Sequence, residues 1–539
     1  MPFSASADVD LFDPEAVRAL LAAQARELAL KEQQLAEKDA QLARKDAEIA
    51  ARDEKLSSRE EQIEHLRLVI EKLRRDTFGA KSEKLDRNVD QLELKLEELE
   101  SDQAADEFAA RIDTNKPIKN KPVRKPLPEH LQREVVTHTP AVNRCPGCGG
   151  KLRKLGEDVS EYLERIPETF KVVRQVRVKM SCSGCDKIVQ PPAPPRPIER
   201  CLAGPTLLAH VLAAKYANHI PLNRQSEIYA REGVELDRST LAGWVGASSQ
   251  LLAPLVEAVR RHVMSASKIH GDDTPVPVLS PGRGRTKIGR LWTYVRDDRP
   301  AGIDTPPAVW FAYSPDRKGD HPRQHLKDFC GVLQADAYAG FGHLYQAGHI
   351  QEAACMAHAR RKLHDIHKTH PSAITTEALD RIGALYGIER EIRGQTAGRR
   401  SEIRQARAKP LIDDLQRWFK QKLATLSVKS DTAVAIRYAL SRWRALTRYL
   451  ENGLIEIDNS SAERALRAVA LGRRNYLFAG ADSGGRRAAA IYTLVGSAKL
   501  TGLDPELYLR LVLTRIAEHP INRIEDLLPW NIRTDTVSA

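Results

Sequence analysis

This chain of 539 residues has no long apolar run. A membrane-spanning helix needs about 18 or more consecutive apolar residues, and no segment of that kind is present. The first residues also lack a basic stretch followed by an apolar core, which is the pattern of a secretory signal. We therefore expect no membrane partner and a cytoplasmic location.

Cysteine is scarce, with seven residues in the chain, but four of them form two Cys-x-x-Cys pairs on glycine-containing turns. The four are Cys145, Cys148, Cys182 and Cys185. Cytosolic thiols stay reduced, so such pairs are typical of metal ligands and not of disulfides. The alternation of apolar residues over Phe170–Met180 predicts strands between the pairs. We expect a zinc ribbon over residues 145–200 whose Zn²⁺ is structural, because four cysteines leave no open coordination position.

The chain also lacks an excess of acidic residues. Its 84 lysines and arginines outnumber its 72 aspartates and glutamates, which gives a net charge of +12. A basic surface favours polyanions, because neutralised phosphates release counterions. Residues 115–125 carry five basic residues, two prolines and no acidic residue. This part of a basic linker predicted over residues 103–144 either lies along a phosphate backbone or is simply solvated.

The N-terminal part has a repeat in which an apolar residue recurs every seven positions. Its members are Leu21, Leu28, Leu35, Leu42, Ile49, Leu56, Ile63 and Ile70. This period predicts a long helix that associates with another helix. The companion stripe three residues later is polar until Leu66 and Leu73. Residues 13–102 are therefore either a dimerising coiled coil or a single solvated helix, and in both cases we expect a role in assembly.

Residues 201–262 have a helical pattern. Asn223–Glu232 and Arg238–Ser248 are two short helical stretches with a turn-length gap between them. That spacing is compatible with a helix-turn-helix, whose second helix enters a major groove. Two helices packed on a core have the same sequence pattern, so both interpretations stay open.

Strand-like runs begin after Lys268. They are Ile269 onward, Leu291–Val295, Ala308–Tyr313 and Val332–Ala335. Two of them meet an aspartate at a turn, Asp272 and Asp336, and Glu463 follows a helix cap farther on. Such a cluster of carboxylate oxygens suits two Mg²⁺ ions that act on a phosphodiester. Taken alone, this is weak evidence, because an aspartate after a strand is usually a turn former or helix cap.

A set of collinear motifs from about residue 65 onward resembles the insertion-sequence 66 (IS-66) family of bacterial transposases. The matching stretches outside the zinc module are Phe78–Lys84, Leu127–Leu131, Lys215–Leu222, Arg231–Leu236, Ser239–Leu241, Asp272–Pro275, Asp336–Gly340, His358–Arg361, Asp458–Asn459 with Glu463, Arg473–Asn475 and Leu527–Trp530. The resemblance implies a ribonuclease-H-like catalytic domain with Asp272, Asp336 and Glu463 as its acidic triad. Asp273 stands where the family commonly has a glutamate, beside the triad.

The expected fold is therefore multidomain α+β. It comprises the N-terminal helix or coiled coil, the zinc ribbon, the helical segment and an α/β catalytic domain over residues 263–500. The 127 positions between Asp336 and Glu463 are too many for one loop, and their helical pattern predicts an insertion at about residues 371–450. A C-terminal tail follows over residues 501–539.

The resemblance implies a DDE transposase that binds the terminal inverted repeats of its element and cleaves and joins strands. Two Mg²⁺ ions, or Mn²⁺, would serve the triad. The expected partners are element and target DNA, a second copy of the chain and accessory proteins of the same element, in the bacterial cytoplasm at the nucleoid. The alternatives are a catalytically inactive DNA-binding repressor and a nuclease of the same fold that cleaves but does not join strands.

Several basic residues are predicted to contact DNA near the triad. They are His358, Arg360, Arg361, Arg464, Arg467, Arg473 and Arg474. A solvated basic face is the alternative for the arginines around Glu463. Cys355 precedes His358 in a Cys-x-x-His pair, but two ligands do not make a metal site, so we expect a structural role for Cys355.

Overall fold

A computed structural model provides the fold of the chain. It describes residues 33, 62–66, 127, 129, 131–140, 144–166, 169–280, 286–336, 338–346, 348–475 and 479–532. The chain divides into two compact units, Met1–Gly79 and Ala80–Ala539. The described residues of the first unit are helical, and Ile63 and Leu66 are buried. The rest of the predicted coiled coil and most of the predicted basic linker, including residues 115–125, lie outside the described residues, so these parts stay predictions. The end of that linker is wrong, because Gln132–His138 is a β-strand.

A four-stranded sheet carries the two cysteine pairs. Its strands are β1 (Gln132–His138), β2 (Leu152–Ile166), β3 (Thr169–Cys182) and β4 (Ile188–Val189). β2 and β3 form a long antiparallel hairpin, while β1 runs parallel to β3 and β4 pairs with the end of β3. The predicted alternation is present in β3, where Val172 and Val176 are buried. Leu152 pairs with Cys182, so both cysteine pairs lie at the same end of the hairpin.

Four helices follow this sheet. They are α1 (Pro205–Tyr216), α2 (Leu222–Arg231), α3 (Arg238–Leu251) and α4 (Ala253–Met264). α2 and α3 are the pair considered as a helix-turn-helix. α3 is buried at Leu241, Ala242 and throughout residues 244–248, so most of its surface faces protein. This burial fits the alternative in which the two helices pack on a core.

A five-stranded mixed sheet forms the centre of the second unit. Its strands are β5 (Lys268–Val278), β6 (Lys287–Arg296), β7 (Ala308–Ser314), β8 (Gly331–Ala335) and β9 (Ile350–Ala354). Their order is β7-β6-β5-β8-β9, in which β5, β8 and β9 are parallel and β6 is antiparallel to both of its neighbours. The four predicted runs all fall in these strands. β9 is absent from the prediction, because it contains only one β-branched residue.

After β9 the chain builds a separate helical core. Short helices α5 (Asp320–His325) and α6 (Gly342–Gln346) precede it, and it consists of α7 (Met356–Thr369), α8 (Ala373–Ile392), α9 (Ala397–Ile403), α10 (Lys409–Thr425), α11 (Asp431–Ser441) and α12 (Trp443–Thr447). Apolar side chains such as Ile382, Leu415 and Phe419 meet inside it. α8 to α12 occupy the stretch in which the helical insertion is predicted.

Hydrogen bonds tie this helical core to the central sheet. The buried Arg400 donates to Gly453 O at 2.6 Å and to Glu456 Oε1 at 2.9 Å. The backbone of Glu456 pairs with the side chain of Gln334 on β8, with Glu456 N donating to Gln334 Oε1 at 3.1 Å. The insertion is therefore fixed to β8 two residues before Asp336.

Three further helices complete the main core: α13 (Ser460–Asn475), α14 (Asp482–Leu500) and α15 (Pro505–Arg515). α14 lies along the outer edge of β7, where Thr493 Oγ1 accepts from Phe311 N at 2.9 Å and Ser497 Oγ accepts from Val309 N at 3.1 Å. These hydroxyls satisfy amides that an edge strand otherwise leaves unpaired. α15 packs against α1, so the segment predicted as a tail joins the main core. Within the described ranges, no helix has the length and apolarity needed to cross a membrane.

Candidate active site and metal centres

Asp272 and Asp336 lie side by side on neighbouring parallel strands. The β5–β8 ladder ends with Gly271 opposite Ala335, and the next residue on each strand is the aspartate. Since neighbouring strands are about 4.8 Å apart, the two aspartates are neighbours at the end of this ladder, and the charge of Asp336 acts on Asp272. The expectation that Asp272 stands at a turn is wrong, because β5 continues to Val278 in pairing with β6.

Glu463 approaches the two aspartates from the first turn of α13. That helix begins with a side-chain cap, since Asp458 Oδ1 accepts a hydrogen bond from Ser460 N at 3.0 Å. Oε1 of Glu463 is buried and has no hydrogen-bond partner within the described part of the chain. The structure places Asp336 and Glu463 near enough to Asp272 for their charges to act on its carboxyl.

Asn459, immediately before α13, connects the segments that carry these acids. Its side chain is fully buried; Nδ2 donates to Gly271 O at 2.8 Å, and Oδ1 lies 3.1 Å from His270 Nδ1. Burial lowers the pKa of His270 well below its usual range, so the ring is neutral and its Nδ1–H can donate to Oδ1. Asn459 N donates to Cys355 Sγ at 3.2 Å, and Asn459 O accepts from Glu463 N at 3.3 Å. One residue therefore fixes β5 relative to the turn of Glu463.

The two aspartates resist ionisation. Burial, and then the charges of Asp336, Asp273 and Glu463, raise the pKa of Asp272 to about 7, although a hydrogen bond from Asp273 N opposes the shift. Burial also raises the pKa of Asp336. Carboxylates that repel one another in a partly buried cleft are stabilised by a cation, and hard divalent ions prefer oxygen ligands. The donor set, with one oxygen that lacks a partner, fits Mg²⁺ or Mn²⁺.

Asp273 is held by two arginines. Arg317 Nη2 lies 2.7 Å from Asp273 Oδ1, and Arg290 Nη1 lies 3.0 Å from Asp273 Oδ2. The same Arg317 nitrogen is 3.9 Å from Asp336 Oδ2, and the guanidinium lies over the ring of Tyr338 at 4.2 Å. Asp273 is thus an ion-pair partner beside the three acids. Arg317 is absent from the predicted residues, because only the fold brings it to Asp336.

Two of the predicted DNA-contacting residues, both on α7, face Glu463. His358 Nδ1 is 3.8 Å from Glu463 Oε1, and Arg361 Nη2 is 3.5 Å from Glu463 Oε2. Arg360 is half-buried and within electrostatic reach of Tyr386 on α8. It therefore faces the insertion, while its neighbours face the acids.

The other predicted arginines lie along α13. Arg464 and Arg467 are exposed, one and two turns into the helix. Arg473 and Arg474 belong to its last turns, and their side chains lie outside the described residues. The exposed pair provides positive charge on the same helix as Glu463.

Four sulfur atoms meet at the end of the β2–β3 hairpin. They belong to Cys145, Cys148, Cys182 and Cys185, and all four lie within 4.8 Å of one another. The Cys148 sulfur is 3.3 Å from those of Cys182 and Cys185. A hydrogen bond from the Gly147 backbone lowers the pKa of Cys145 to about 6, which favours its thiolate. Four convergent thiols are the donor set of a structural zinc site without an open position.

Family models match most of the chain. "Transposase IS66 family" covers residues 200–487, and "zinc-finger binding domain of transposase IS66" covers residues 143–186. "IS66 C-terminal element" covers residues 493–530, and "Transposase C of IS166 homeodomain" covers residues 65–136. The zinc-finger match and the four-cysteine cluster together support a structural Zn²⁺.

Two curated relatives from Sinorhizobium fredii are similar over most of their length. Uncharacterized protein y4hP is 43% identical over 480 residues, which are 85% of this chain and 86% of the relative. Uncharacterized protein y4qI is 38% identical over 480 residues, 86% of this chain and 88% of the relative. The transposase and zinc-finger matches support DNA as the partner of the chain. Since the first family model alone covers more than half of it, the chain belongs to the IS66 family of transposases.

Proposed function

We propose that this protein is a DDE transposase that binds the terminal inverted repeats of its insertion sequence and catalyses metal-dependent strand cleavage and strand transfer. The observation that carries the proposal is that Asp272 and Asp336 directly follow the last β5–β8 pair, Gly271 and Ala335, and that the charges of Asp336 and Glu463 act on Asp272. Family membership supports a transposase or nuclease type of enzyme. Strand cleavage and strand transfer would take place at Asp272, Asp336 and Glu463.

The sheet supports a ribonuclease-H-like catalytic domain, which the family resemblance implies. In the order β7-β6-β5-β8-β9, only β6 is antiparallel to the other four strands. The two aspartates come from the adjacent central strands β5 and β8, and the glutamate comes from a helix that follows the insertion. The insertion thus separates the proposed catalytic acids along the chain, while the sheet and the helix keep them near one another in the fold.

Asp272, Asp336 and Glu463 would hold two Mg²⁺ ions, or Mn²⁺, which supply activation of the attacking oxygen and stabilisation of the leaving oxygen. The chain's own contribution is position, since strand register fixes the aspartates and Asn459 fixes the glutamate. Arg317, 3.9 Å from Asp336, balances part of the negative charge when the carboxyls ionise. The protein thereby offers a charged cleft whose geometry is set before DNA binds.

In the proposed reaction, water hydrolyses a phosphodiester at the element end and leaves a 3′-hydroxyl. That hydroxyl then attacks a phosphodiester of the target DNA at the same acids and displaces the 3′-oxygen of the target strand, which leaves as a hydroxyl. No covalent bond to protein forms. Phosphate contacts are assigned to basic side chains around the cleft. They are His358, Arg361, Arg464, Arg467, Arg473 and Arg474. Arg360, which the sequence groups with them, faces the insertion and is not assigned a phosphate contact.

Two element ends have to be held together, so the proposal includes a homo-oligomer with the N-terminal helix as its interface. The N-terminal and zinc regions would recognise the inverted repeats. Accessory proteins from the same element and a location at the bacterial nucleoid complete the proposal. The heptad repeat and the zinc-finger match support the first two assignments.

Movement of a complete element in cells tests this function. The element carries its own ends and accessory genes, and the wild-type chain is compared with Asp336→Asn at matched protein level. We expect Asp336→Asn to lose movement by about 100-fold or more while it still binds the element ends, because it removes one carboxylate and no DNA contact.

The control is Asp320→Asn, which changes an aspartate that is exposed on α5. We expect this variant to move the element at the wild-type rate. Equal movement by wild type and Asp336→Asn would show that the assigned acids are not the catalytic ones. Binding to the ends without movement by either form would favour the inactive repressor.

A further inference from the structure

Cys355, His358 and Glu463 form a second group of metal-ligand atoms in the described part of the chain. Cys355 precedes α7, His358 lies in the first turn of that helix, and Glu463 reaches them from α13. Their ligand atoms all lie within 4.8 Å of one another. The Cys-x-x-His pair supplies only two ligands, and the fold adds a third from a distant part of the sequence.

Two of these three ligand atoms have no hydrogen-bond partner among the described residues. His358 Nδ1 and Glu463 Oε1 are buried without a hydrogen bond to any described residue, and they are 3.8 Å apart. Buried polar atoms are normally paired, so this arrangement leaves a position that a shared bound ion would satisfy. Cys355 Sγ accepts a hydrogen bond from Asn459 N at 3.2 Å. Burial nevertheless raises the pKa of this thiol, so a bound ion has to displace its proton.

We propose that Cys355 Sγ, His358 Nδ1 and Glu463 Oε1 bind one Zn²⁺ ion, with water as the fourth ligand. Thiolate and imidazole select Zn²⁺ or Co²⁺ over Mg²⁺, and three protein ligands with one water form a common tetrahedral site. On binding, the Cys355 thiol releases its proton to solvent. The thiolate and the Glu463 carboxylate then balance the two positive charges of the ion.

The site shares Glu463 with the acids of the proposed function, and its effect on activity rests on that function. Zn²⁺ bound to Glu463 Oε1 withdraws this oxygen from Asp272 and Asp336. Added Zn²⁺ therefore inhibits DNA cleavage that is supported by Mg²⁺. The geometry makes Glu463 the point at which a zinc-like cation regulates the transposase.

Metal binding is tested first, because it does not depend on activity. The full-length protein is purified with its four-cysteine site filled with Zn²⁺, and Co²⁺ is then added as a spectroscopic probe. We expect about one further Co²⁺ per chain, with a sulfur-to-cobalt charge-transfer band and tetrahedral visible bands. Cys330→Ser is the matched control, because Cys330 is an exposed cysteine outside the cluster. It keeps the full signal.

Two variants remove different ligands. Cys355→Ser, a near-isosteric change in a buried position, loses the sulfur band of the added Co²⁺. His358→Gln, in a half-buried position, retains the sulfur but weakens Co²⁺ binding by about tenfold or more. Circular dichroism shows whether each variant is folded, and either folded variant is sufficient for the comparison. If the folded variants showed the same sulfur-to-cobalt band and the same Co²⁺ affinity as the wild type, the proposed metal site would be wrong.

The activity measurement follows with a DNA fragment that carries one element end. We expect Zn²⁺ that fills the added site to inhibit Mg²⁺-supported cleavage by about tenfold or more in the wild type and in Cys330→Ser. In Cys355→Ser, the same added Zn²⁺ lowers the cleavage rate by a smaller factor, measured against the rate of that variant without added Zn²⁺. Zinc binding in a protein that never cleaves DNA supports the site and contradicts the proposed function. Cleavage that is unchanged when the site is full overturns the regulatory role of Glu463.

Discussion

Asn459 shows how one uncharged side chain determines the geometry of charged ones. Its amide contacts the backbone of β5 and the neutral ring of His270, and its main chain contacts Cys355 and the turn of Glu463. A buried amide with these partners cannot be replaced by a shorter side chain without leaving acceptors and donors unpaired. The acids therefore depend on a residue that contacts no substrate in the proposed reaction.

We expect Asn459→Ala to lower the free energy of unfolding by about 2–4 kcal/mol, because Gly271 O and His270 Nδ1 lose their partners in a buried position. Chemical denaturation monitored by circular dichroism measures this change. Asn475→Ala, at an exposed position of the same helix, is the control and should change stability by less than about 0.5 kcal/mol. If Asn459→Ala lowered the free energy of unfolding as little as the control does, the structural role assigned to Asn459 would be contradicted.

A second residue-scale feature is the aromatic cage around His325. Its ring lies near those of Trp310 and Tyr294, at centroid distances of 5.6 and 5.8 Å, and Tyr294 Oη–H donates to His325 Nδ1 at 3.0 Å. Burial, and then the charge of His321, lower the pKa of His325 to about 4 from its usual 6.5. The folded protein therefore keeps this ring neutral at a pH where the unfolded chain protonates it.

Between pH 6.5 and about 4 the unfolded state binds more protons at His325, so the stability that this group contributes is lost as the pH falls. Lowering the pH from 7 to 5 should cost the wild type about 2 kcal/mol more of unfolding free energy than it costs His325→Gln. Glutamine can still accept the hydrogen bond from Tyr294. Denaturation at both pH values gives the comparison, and identical pH dependence in the two proteins would refute the assigned cause.

At the scale of elements, the β2–β3 hairpin has two unequal ends. Leu163 and Phe170 at one end pack into the main core. The cysteine end has only a small buried cluster, formed by Cys145, Leu152 and Cys182. So few apolar contacts cannot hold a hairpin end without a bound ion.

Loss of zinc should consequently unfold the cysteine end alone. In Cys148→Ser we expect amide hydrogen exchange in residues 145–155 and 180–189 to become at least about tenfold faster, with little change in residues 160–172. Hydrogen-exchange mass spectrometry measures both regions, and Cys330→Ser is the control. If hydrogen exchange became equally faster throughout the main core, zinc would stabilise the whole second unit and not the cysteine end alone.

The elements also show what the sequence can predict. Alternating apolar residues predict β3, whose burial also alternates over part of its length. Short apolar runs predict the strands near residues 291–295 and 308–313, which are buried over most of their length. The turn expected at Asp272 is wrong for a physical reason. Pro275 and Pro277 suggest the end of a strand. β8 pairs with β5 only up to Gly271, and the next partner on that edge is Ala479, which bridges to Val278; the stretch between has no strand partner on this side and tolerates proline. β5 therefore continues where the local sequence predicts a break.

At the scale of the whole molecule, the site is less predictable than the sheet. The acidic triad comes from a resemblance to a family, since isolated aspartates carry little information. Arg317, and the approach of Glu463 to Cys355, depend on contacts between segments far apart in the chain, which no local pattern encodes. The same holds for the packing of α15 on α1, which joins the predicted tail to the main core.

The hydroxyls of α14 that cap the edge of β7 have a consequence for synthesis of the protein. Thr493 lies 182 positions after Phe311, so a ribosome exposes the finished β7 edge long before its cover exists. Bare strand edges pair readily with other chains. Gene copies interrupted between these two positions would thus yield truncated chains whose uncovered β7 edge favours aggregation, even where the interruption follows position 463 and all three acids are retained.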